Sequence, residues 1–209
     1  MTKNYKNKLK VAILDVGFGN LSSIKNALDY LKLKNKIVSN PEIFKNFTHL
    51  ILPGVGSFKK ASKKLSKNGW KSALKEASSK KPILGICLGM QLLFSKGTED
   101  GNSKGLEFLN GKCEKFKIKN LPIPHIGFNH VEFKKSNLWK NIPNKSPFYF
   151  VHSYRVKNTS KKYNLSTTTY GEKFVSAVEK ENIIGTQFHP EKSHSFGLTF
   201  IKNFVENYK

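Results

Sequence analysis

Gly85-Ile86-Cys87-Leu88-Gly89 lies at the junction of an apolar run, Pro82 to Ile86, and a segment of helical character, Leu88 to Phe94. Its two glycines allow a tight turn that exposes the Cys87 thiol at the end of a strand. A helix behind the cysteine offers unpaired N–H groups and the positive end of its dipole, and both favour a thiolate. The pentapeptide therefore predicts a nucleophile elbow with cysteine in the serine position. A buried structural cysteine between packing glycines is the alternative.

Strands and helices alternate on the N-terminal side of the elbow. The predicted strands are Leu9 to Asp15, Ile37 to Ser39 and His49 to Leu52, and the predicted helices are about Leu21 to Leu33 and Lys59 to Ser78. The helices follow from apolar residues repeated at helical spacing, and the strands from short apolar runs that end in turn residues. Such alternation is typical of a parallel sheet covered by helices on both faces.

The C-terminal side of the elbow is rich in strands. Short alternating segments predict strands at Cys113 to Ile118, Val131 to Phe133, Phe148 to Val156, Leu165 to Thr169, Val175 to Glu179 and Ile183 to Gln187. The final stretch, Ser195 to Tyr208, has its apolar residues on one side and predicts a helix. We expect a single α/β domain over residues 9–209, after a frayed start at residues 1–8. Its mostly parallel, flavodoxin-like sheet would be flanked by helices and accompanied by an antiparallel, strand-rich part.

The composition excludes several classes of protein. With 209 residues, of which 38% are hydrophobic, the chain is long enough for one well-buried domain, and its apolar runs are too short to span a membrane. The polar, lysine-rich start has no apolar segment behind it, so no secretory signal is expected and the predicted location is the cytoplasm. Cys87 and Cys113 are predicted to be free thiols in that reducing compartment.

The net charge of +23 is the usual sign of a nucleic-acid-binding protein. However, Arg155 is the only arginine among 37 basic residues, and the lysines are spread over every segment. Recognition of phosphates and bases favours the bidentate fork of arginine, and the chain matches no helix-turn-helix, RNA-recognition or zinc-finger pattern. A basic nucleic-acid-binding or scaffold protein without catalytic activity is therefore a disfavoured alternative.

Six histidines could supply the base that a thiolate nucleophile needs, and one of them stands out. His189 follows the predicted strand Ile183 to Gln187, and in an extended segment Glu191 would point the same way and hold the imidazole in one tautomer. Cys87, His189 and Glu191 then fit the roles of nucleophile, base and orienting carboxylate. A surface His-X-Glu pair is the alternative. A metal site is disfavoured because His189, His194 and the two cysteines lack zinc-ligand spacing.

A second glycine-bearing turn, Pro53-Gly54-Val55-Gly56, ends the predicted strand His49 to Leu52. Open α/β sheets bind ligands at the carboxyl ends of their parallel strands. The amide groups of this turn are therefore candidates for a second oxyanion donor beside the N–H of Leu88. The turn is not a phosphate-binding loop because no Gly-Lys-Ser/Thr follows, and it could also simply connect a strand to a helix.

Together these motifs resemble the class I, or triad, glutamine amidotransferases, and the similarity extends over nearly the whole chain. The shared motifs are Pro-Gly-Val-Gly after a strand, the elbow continuing as Met90-Gln91-Leu92-Leu93-Phe94, and the late sequence Gln187-Phe188-His189-Pro190-Glu191-Lys192-Ser193. Within the family, the chain is most similar to the glutaminase subunits of imidazole glycerol phosphate synthase. That similarity rests on Val16 to Asn20, Lys104 to Leu106, Pro124 to Asn129 and Tyr149 to Arg155.

The resemblance implies a role for each matching residue. Cys87 would attack the side-chain amide of L-glutamine, His189 would act as base and then as acid for the departing ammonia, and Glu191 would orient His189. The implied oxyanion donors are Leu88, Val55 and Gly56, and the implied substrate-binding residues are Gly54, Gln91, Glu99, Ser153 and Tyr154. The resemblance implies no metal and no organic cofactor.

The resemblance also implies a partner. In these enzymes ammonia passes to a (β/α)₈-barrel synthase subunit, here expected as a heterodimer, and the matching interface positions are Asn20, Phe128, Tyr149 and Lys192. Tyr149 could instead be a core residue, and Lys192 an ordinary solvated lysine. Phe128 stands where the histidine-pathway subunits usually have tryptophan. A relative that feeds ammonia to another synthase, for instance for amidination of bacterial surface sugars, is therefore the alternative to histidine biosynthesis.

Overall fold

The computed structural model of the chain describes residues 9–67 and 69–209, so the predicted frayed start at residues 1–8 lies outside the described residues. The strands are β1 (Val11–Leu14), β2 (Asn35–Val38), β3 (His49–Leu52), β4 (Ile83–Ile86), β5 (Phe94–Gly97), β6 (Ser103–Lys104), β7 (Leu109–Lys115), β8 (His125–Val131), β9 (Ser146–His152), β10 (Tyr154–Lys157), β11 (Asn164–Tyr170), β12 (Glu172–Lys180) and β13 (Ile183–Thr186). The α-helices are α1 (Leu21–Tyr30), α2 (Phe58–Ser66), α3 (Trp70–Ala77), α4 (Leu88–Leu93) and α5 (His194–Asn207), and short 3-10 helices lie at Pro41–Asn46, Asn137–Trp139 and Pro190–Lys192. No helix within the described ranges is both long and apolar enough to cross a membrane.

The central sheet of the described residues has seven strands in the order β11-β12-β13-β4-β3-β1-β2. The strands from β13 to β2 run parallel, and β12 and β11 pair antiparallel at one edge. Helices cover both faces, as expected when crossover helices join parallel strands. The mostly parallel α/β sheet that the sequence predicts is confirmed.

The other six strands of the described residues form two smaller sheets beside the main one. One sheet has the order β10-β7-β5-β6, and another is the antiparallel pair β8 and β9, in which His125 lies opposite His152 and Phe128 opposite Tyr149. Because β9 ends and β10 begins on either side of Ser153, this residue forms a corner between the two smaller sheets. The predicted antiparallel part is thereby confirmed.

Apolar residues pack on both faces of the main sheet, because successive side chains of a strand point to opposite sides. In β1, Ala12 and Leu14 share a buried cluster with α2, α3 and α4, whereas Val11 and Ile13 share one with α1 and α5. All four residues are fully buried. The helical layers leave the carboxyl ends of the parallel strands at one edge, and the loops that carry the predicted site residues begin there.

The helix predicted from Lys59 to Ser78 is instead two helices, α2 and α3. α2 ends at Ser66, and α3 begins after Gly69, whose φ of 75° lies in the left-handed region that favours glycine. A residue in that conformation cannot continue a right-handed helix. Apolar residues are present on both sides of the break, so their pattern alone does not reveal it.

The strand predictions around β8 and β9 also need correction. The segment Phe148 to Val156 is interrupted at Ser153, and of the segment Val131 to Phe133 only Val131 belongs to β8, which runs from His125 to Val131. β8 has buried residues only at its two ends and exposed or half-buried residues between them, so it lacks the apolar alternation that indicates a strand. Phe94, predicted at the end of a helix, begins β5 instead.

Candidate active site

Neighbouring parallel strands carry the predicted catalytic residues at their carboxyl ends. β3 leads into Pro53–Gly56, β4 into Cys87, and β13 into Gln187 and His189. Because β13, β4 and β3 are adjacent in the sheet, residues that are far apart in sequence meet at one edge. The N–H of Cys87 donates to the carbonyl oxygen of Thr186 at 2.7 Å and ties the elbow to the end of β13.

The turn at Cys87 depends on the glycines around it. Cys87 has a φ of 55° and a ψ of −111°, a backbone conformation that residues other than glycine seldom adopt. A Cβ added to Gly89 would overlap the carbonyl oxygen of Leu52, and one added to Gly85 would lie 2.7 Å from the backbone of Gly89. The glycines therefore allow α4 to pack directly on β3 and β4. The resulting turn places Cys87 in the wall of a cavity.

His189 and Glu191 form a buried pair. His189 Nδ1 lies 2.8 Å from Glu191 Oε1, and the two side chains are 4% and 1% exposed. The pair does not arise from an extended segment, as the sequence suggested, because Pro190–Lys192 is a 3-10 helix. Since the carboxylate accepts, Nδ1 carries the proton and Nε2 is left for a reactant. Nε2 is buried and has no hydrogen-bond partner in the part of the chain that the structure describes.

The surroundings of His189 favour its protonated form. Burial alone would lower the pKa of His189, but its interactions with Cys87 and Glu191 outweigh burial and raise that pKa to about 10. An imidazolium beside a cysteine can stabilise a thiolate and can give a proton to a leaving group. The structure thus places the side chains proposed as nucleophile, base and orienting carboxylate next to one another.

Gln187 links the nucleophile to Gln91, although the sequence analysis assigned it no role. It is fully buried, its Nε2 donates to Cys87 Sγ at 3.7 Å, and its Oε1 accepts from Gln91 Nε2 at 3.0 Å. Gln91 Nε2 also donates to the carbonyl oxygen of Tyr154 at 3.2 Å. Because both hydrogens of the Gln91 amide are used inside the protein, its Oε1 is the atom left to bind a ligand.

A cavity of about 390 Å³ opens at this edge of the sheet. The predicted site residues that line it are Val55, Gly56, Cys87, Leu88, Gln91, Glu99, Ser153, Tyr154 and His189. Gly54 lies behind the wall, where a Cβ would come within 2.7 Å of Leu88. Glu99 Oε2 accepts from the N–H of Phe58 at 2.8 Å, and burial raises the pKa of Glu99. The cavity therefore combines a thiol, an imidazole, a carboxylate and an amide oxygen, which suits a small polar substrate.

A family model described as glutamine amidotransferase class-I matches residues 12–208 of the chain. The chain belongs to the class-I glutamine amidotransferase family. The matched range contains the elbow, the Pro53–Gly56 turn and the His189–Glu191 pair. The family resemblance that the sequence motifs indicate is therefore confirmed.

Three relatives that match this class-I glutamine amidotransferase over nearly their full length are named as HisH subunits of imidazole glycerol phosphate synthase. Imidazole glycerol phosphate synthase subunit HisH 2 of Methanococcus maripaludis is 48% identical over 200 residues, which cover 94% of this chain and 98% of the relative. Subunit HisH 1 of Campylobacter jejuni is 46% identical and covers 93% and 98%. Subunit HisH of Buchnera aphidicola is 43% identical and covers 94% and 98%.

Solved structures share the fold of this amidotransferase at low sequence identity. A crystal structure of a glutamine amidotransferase superimposes with a TM-score of 0.75 at 17% identity, and covers 94% of this chain and 97% of the other. The structure of PurLQS from Thermotoga maritima gives a TM-score of 0.76 at 16% identity, with 97% and 100% covered. These similarities support the fold assignment alone.

The residues predicted to contact a synthase subunit lie mostly on one surface. Phe128 is 48% exposed and contacts the half-buried Tyr149 edge-on, with ring centroids 5.6 Å apart, and Lys192 Nζ lies 5.8 Å from the Tyr149 ring. His194, considered from the sequence as a possible base or metal ligand but not as an interface residue, stacks on Phe128 at 5.1 Å. Asn20 is exposed and caps α1 with its side chain, and α1 packs against the 3-10 helix that contains Lys192.

Two features bear on the nucleic-acid-binding and metal-site alternatives that the sequence analysis raised. Arg155 is only 1% exposed, and its Nη2 lies 2.6 Å from Glu172 Oε1, so the single arginine is not available to bind phosphate. Within residues 9–67 and 69–209, no group of three or more His, Cys, Asp or Glu side chains is placed to hold a metal ion. His194 instead makes the aromatic stack on Phe128.

Cys113 is expected to be unreactive. It is 1% exposed, its Sγ donates to the carbonyl oxygen of Gln91 at 3.6 Å, and burial raises the pKa of its thiol. Because the thiolate is the reactive form, an electrophilic glutamine analogue should label Cys87 and leave Cys113 unmodified, as peptide mapping by mass spectrometry would show. Cys113→Ser should keep glutaminase activity within a few-fold. Labelling of both cysteines at comparable rates would contradict the choice of Cys87.

Proposed function

We propose that the chain is the glutaminase subunit of imidazole glycerol phosphate synthase. It hydrolyses L-glutamine to glutamate and ammonia, and the ammonia passes to a (β/α)₈-barrel synthase subunit in a cytoplasmic heterodimer. The observation that carries this proposal is the placement of Cys87 beside the His189–Glu191 pair, in a cavity that also contains Gln91. Relatives named as HisH subunits support the choice of synthase. The products of the complex would be imidazole glycerol phosphate and aminoimidazole carboxamide ribotide, in histidine biosynthesis.

The first half of the proposed reaction forms a thioester. The Cys87 thiolate attacks the side-chain carbonyl carbon of glutamine, and negative charge moves to the carbonyl oxygen. The N–H of Leu88 and an N–H of the Val55–Gly56 turn donate hydrogen bonds to this oxyanion. The C–N bond then breaks, His189 Nε2 gives its proton to the nitrogen, and ammonia leaves.

The second half releases glutamate. His189, now neutral, takes a proton from a water molecule whose oxygen attacks the thioester carbon. The C–S bond breaks, glutamate departs, and the Cys87 thiolate is restored beside the imidazolium. The Glu191 carboxylate accepts a hydrogen bond from His189 Nδ1–H throughout, so Nε2 faces the reacting atoms in both halves.

The identity of residue 128, a phenylalanine, makes a different synthase subunit the second candidate partner. Phe128 occupies the exposed position where the histidine-pathway subunits usually have tryptophan, and a partner with a different surface would fit a different aromatic ring. Two of the relatives are also numbered copies, HisH 2 and HisH 1. Copurification with tagged candidate barrel subunits, one from histidine synthesis and one that amidinates surface sugars, distinguishes the two partners.

Glutamine hydrolysis by the isolated chain is expected to be slow, and the synthase with its ligand should raise it ~10²- to 10³-fold, the usual effect of one oxyanion donor. The Pro53–Gly56 turn is the proposed switch. Gly56 has a φ of 96°, in the region that favours glycine, and as a glycine it can change its backbone conformation at low steric cost. The measurement is glutaminase turnover with and without the partner. A lone subunit that already runs at the full rate of the complex would rule out the switch.

Substitutions on the predicted docking surface test the same coupling. Tyr149→Ala and Lys192→Ala should weaken activation by the synthase without changing the alkylation rate of Cys87 in the isolated chain. Lys75→Ala is the matched control, because Lys75 is an exposed lysine on α3, in the helical layer on the other face of the sheet. If the synthase activated all three variants as strongly as the wild type, Tyr149 and Lys192 would not belong to the docking surface.

A further inference from the structure

Two buried histidines, His125 and His152, take no part in the proposed triad. They are 2% and 5% exposed, and they face each other across the β8–β9 pair with His125 Nδ1 3.1 Å from His152 Nε2. Burial lowers the pKa of His125 to about 4 and that of His152 to about 3, so both rings are neutral near pH 7. Their hydrogen bonds therefore depend on which ring nitrogen carries the proton.

The hydrogen bonds fix the tautomer of both rings. His152 Nδ1 lies 2.8 Å from the carbonyl oxygen of Tyr154, which can only accept, so Nδ1 carries the proton and Nε2 is an acceptor. His125 Nδ1 must then donate to His152 Nε2, and His125 Nε2 accepts from Asn129 Nδ2 at 3.4 Å. Asn129 Nδ2 also donates to the carbonyl oxygen of Thr169 at 3.0 Å. A directed chain of hydrogen bonds thus runs from β8 to the corner at Ser153.

This series of hydrogen bonds ends at peptide groups that line the cavity. The carbonyl oxygen of Tyr154 accepts from both His152 Nδ1 and Gln91 Nε2, and the carbonyl oxygen of Ser153 accepts from the N–H of Phe116 at 3.0 Å. With both carbonyl groups engaged, the two peptide planes are fixed. A trans peptide directs its N–H opposite its C=O, so the N–H of Tyr154 is fixed as well.

We propose that His152, oriented by His125, is a positioning residue for glutamine binding, which holds the Ser153–Tyr154 corner and, through the shared carbonyl of Tyr154, the amide of Gln91. The inference rests on the proposed glutaminase function. Without the His152 donor, the carbonyl of Tyr154 keeps only its hydrogen bond from Gln91 Nε2, so the Tyr154 peptide, and with it the orientation of the Gln91 amide, is held less firmly. The contacts of His189 with Cys87 and Glu191 do not pass through this link, and the hydrogen bond from Gln91 to Gln187, which contacts Cys87 Sγ, does not involve His152. The effect therefore falls on the KM for glutamine rather than on the reactivity of the thiol.

His152→Phe is the direct test, made in the complex with the synthase. Phenylalanine retains packing against the rings of Phe116, Phe150 and Phe174, 5.2 to 5.6 Å away, but has no donor. We expect the KM for glutamine to rise ~10-fold or more, while ammonia-dependent synthesis and alkylation of Cys87 by iodoacetamide stay within about twofold. His152→Asn keeps a nitrogen near the position of Nδ1 and should restore most of the affinity.

His125→Phe is the second variant, because it removes the donor that orients His152 and leaves the hydrogen bond from His152 to Tyr154 in place. It should raise the KM for glutamine ~3- to 10-fold. If circular dichroism shows that His152→Phe is unfolded, His125→Phe serves as the test instead. An unchanged KM in a folded variant, or a loss of kcat and melting temperature at constant KM, would overturn the proposal. Failure of both phenylalanine variants to fold would assign the pair to stability and overturn it too. A wild-type complex without glutaminase activity would instead overturn the proposed function, so the two failures are distinguishable.

Discussion

Cys87→Ala is expected to abolish glutamine-dependent synthesis, with a loss of ~10⁴-fold or more, as for other catalytic nucleophiles that form covalent intermediates. Cys113, the other thiol of the chain, cannot replace Cys87, because it is buried and hydrogen-bonded to the carbonyl of Gln91. Alanine removes only the sulfur and keeps the Cβ that the turn already accommodates. The fold and the contact with the synthase should therefore persist.

Added ammonium salt separates loss of chemistry from loss of structure in this variant. Ammonia enters the synthase reaction after the thioester step, so the Cys87→Ala complex should still make product from ammonium at the wild-type rate. Cys113→Ser is the matched control and should retain both activities. Normal glutamine-dependent turnover by Cys87→Ala would remove the thioester from the proposed mechanism.

The elbow could be predicted from sequence because its geometry is encoded locally. Gly85 and Gly89 flank Cys87 within five residues, and the apolar patterns on either side indicate a strand before the turn and a helix after it. The structure shows that these glycines both allow the turn and let α4 contact β3 and β4. A packing role for Gly85 and Gly89, which the sequence analysis set against the elbow, is therefore compatible with it.

The meeting of Cys87 with His189 could not be predicted from local pattern. It depends on the strand order, in which β13 lies beside β4 although about a hundred residues separate them. Apolar periodicity indicates that a strand exists but not which strand it joins. The family motifs supplied that information, since they come from chains with the same order of elements. The His189–Glu191 contact was expected for the wrong local reason, because the turn between them is a 3-10 helix.

The His125–His152 chain has no signal in the sequence. It depends on the register of β8 against β9 and on the corner at Ser153, and neither feature follows from residue spacing. The predicted strand overlapped β8 only at its last residue, Val131, because most of the side chains of β8 are exposed or half-buried. Gln187 is a similar case, since only the adjacency of β13 and β4 brings its amide to the thiol.

Glu191→Gln is expected to lower kcat/KM for glutamine ~10³- to 10⁴-fold, as when the orienting carboxylate of a triad becomes an amide. Glutamine is similar in size to glutamate but neutral, and it can donate to His189 Nδ1 and so favour the wrong tautomer. One of the two interactions that raise the pKa of His189 to about 10 is lost, and this pKa should fall. The imidazolium exists only below its pKa, so the alkaline limb of kcat/KM should move to lower pH.

The same change should affect stability in a defined pH range. A histidine whose pKa is raised in the folded state stabilises the fold fully below its ordinary pKa of 6.5, and this contribution is lost as pH rises through about 10. The melting temperature of the wild type should therefore exceed that of Glu191→Gln at pH 6, and the difference should shrink toward pH 10. Glu181→Gln is the matched control, because Glu181 is exposed between β12 and β13. An unmoved alkaline limb in Glu191→Gln, with catalysis reduced, would mean that Glu191 orients His189 without supporting its charge.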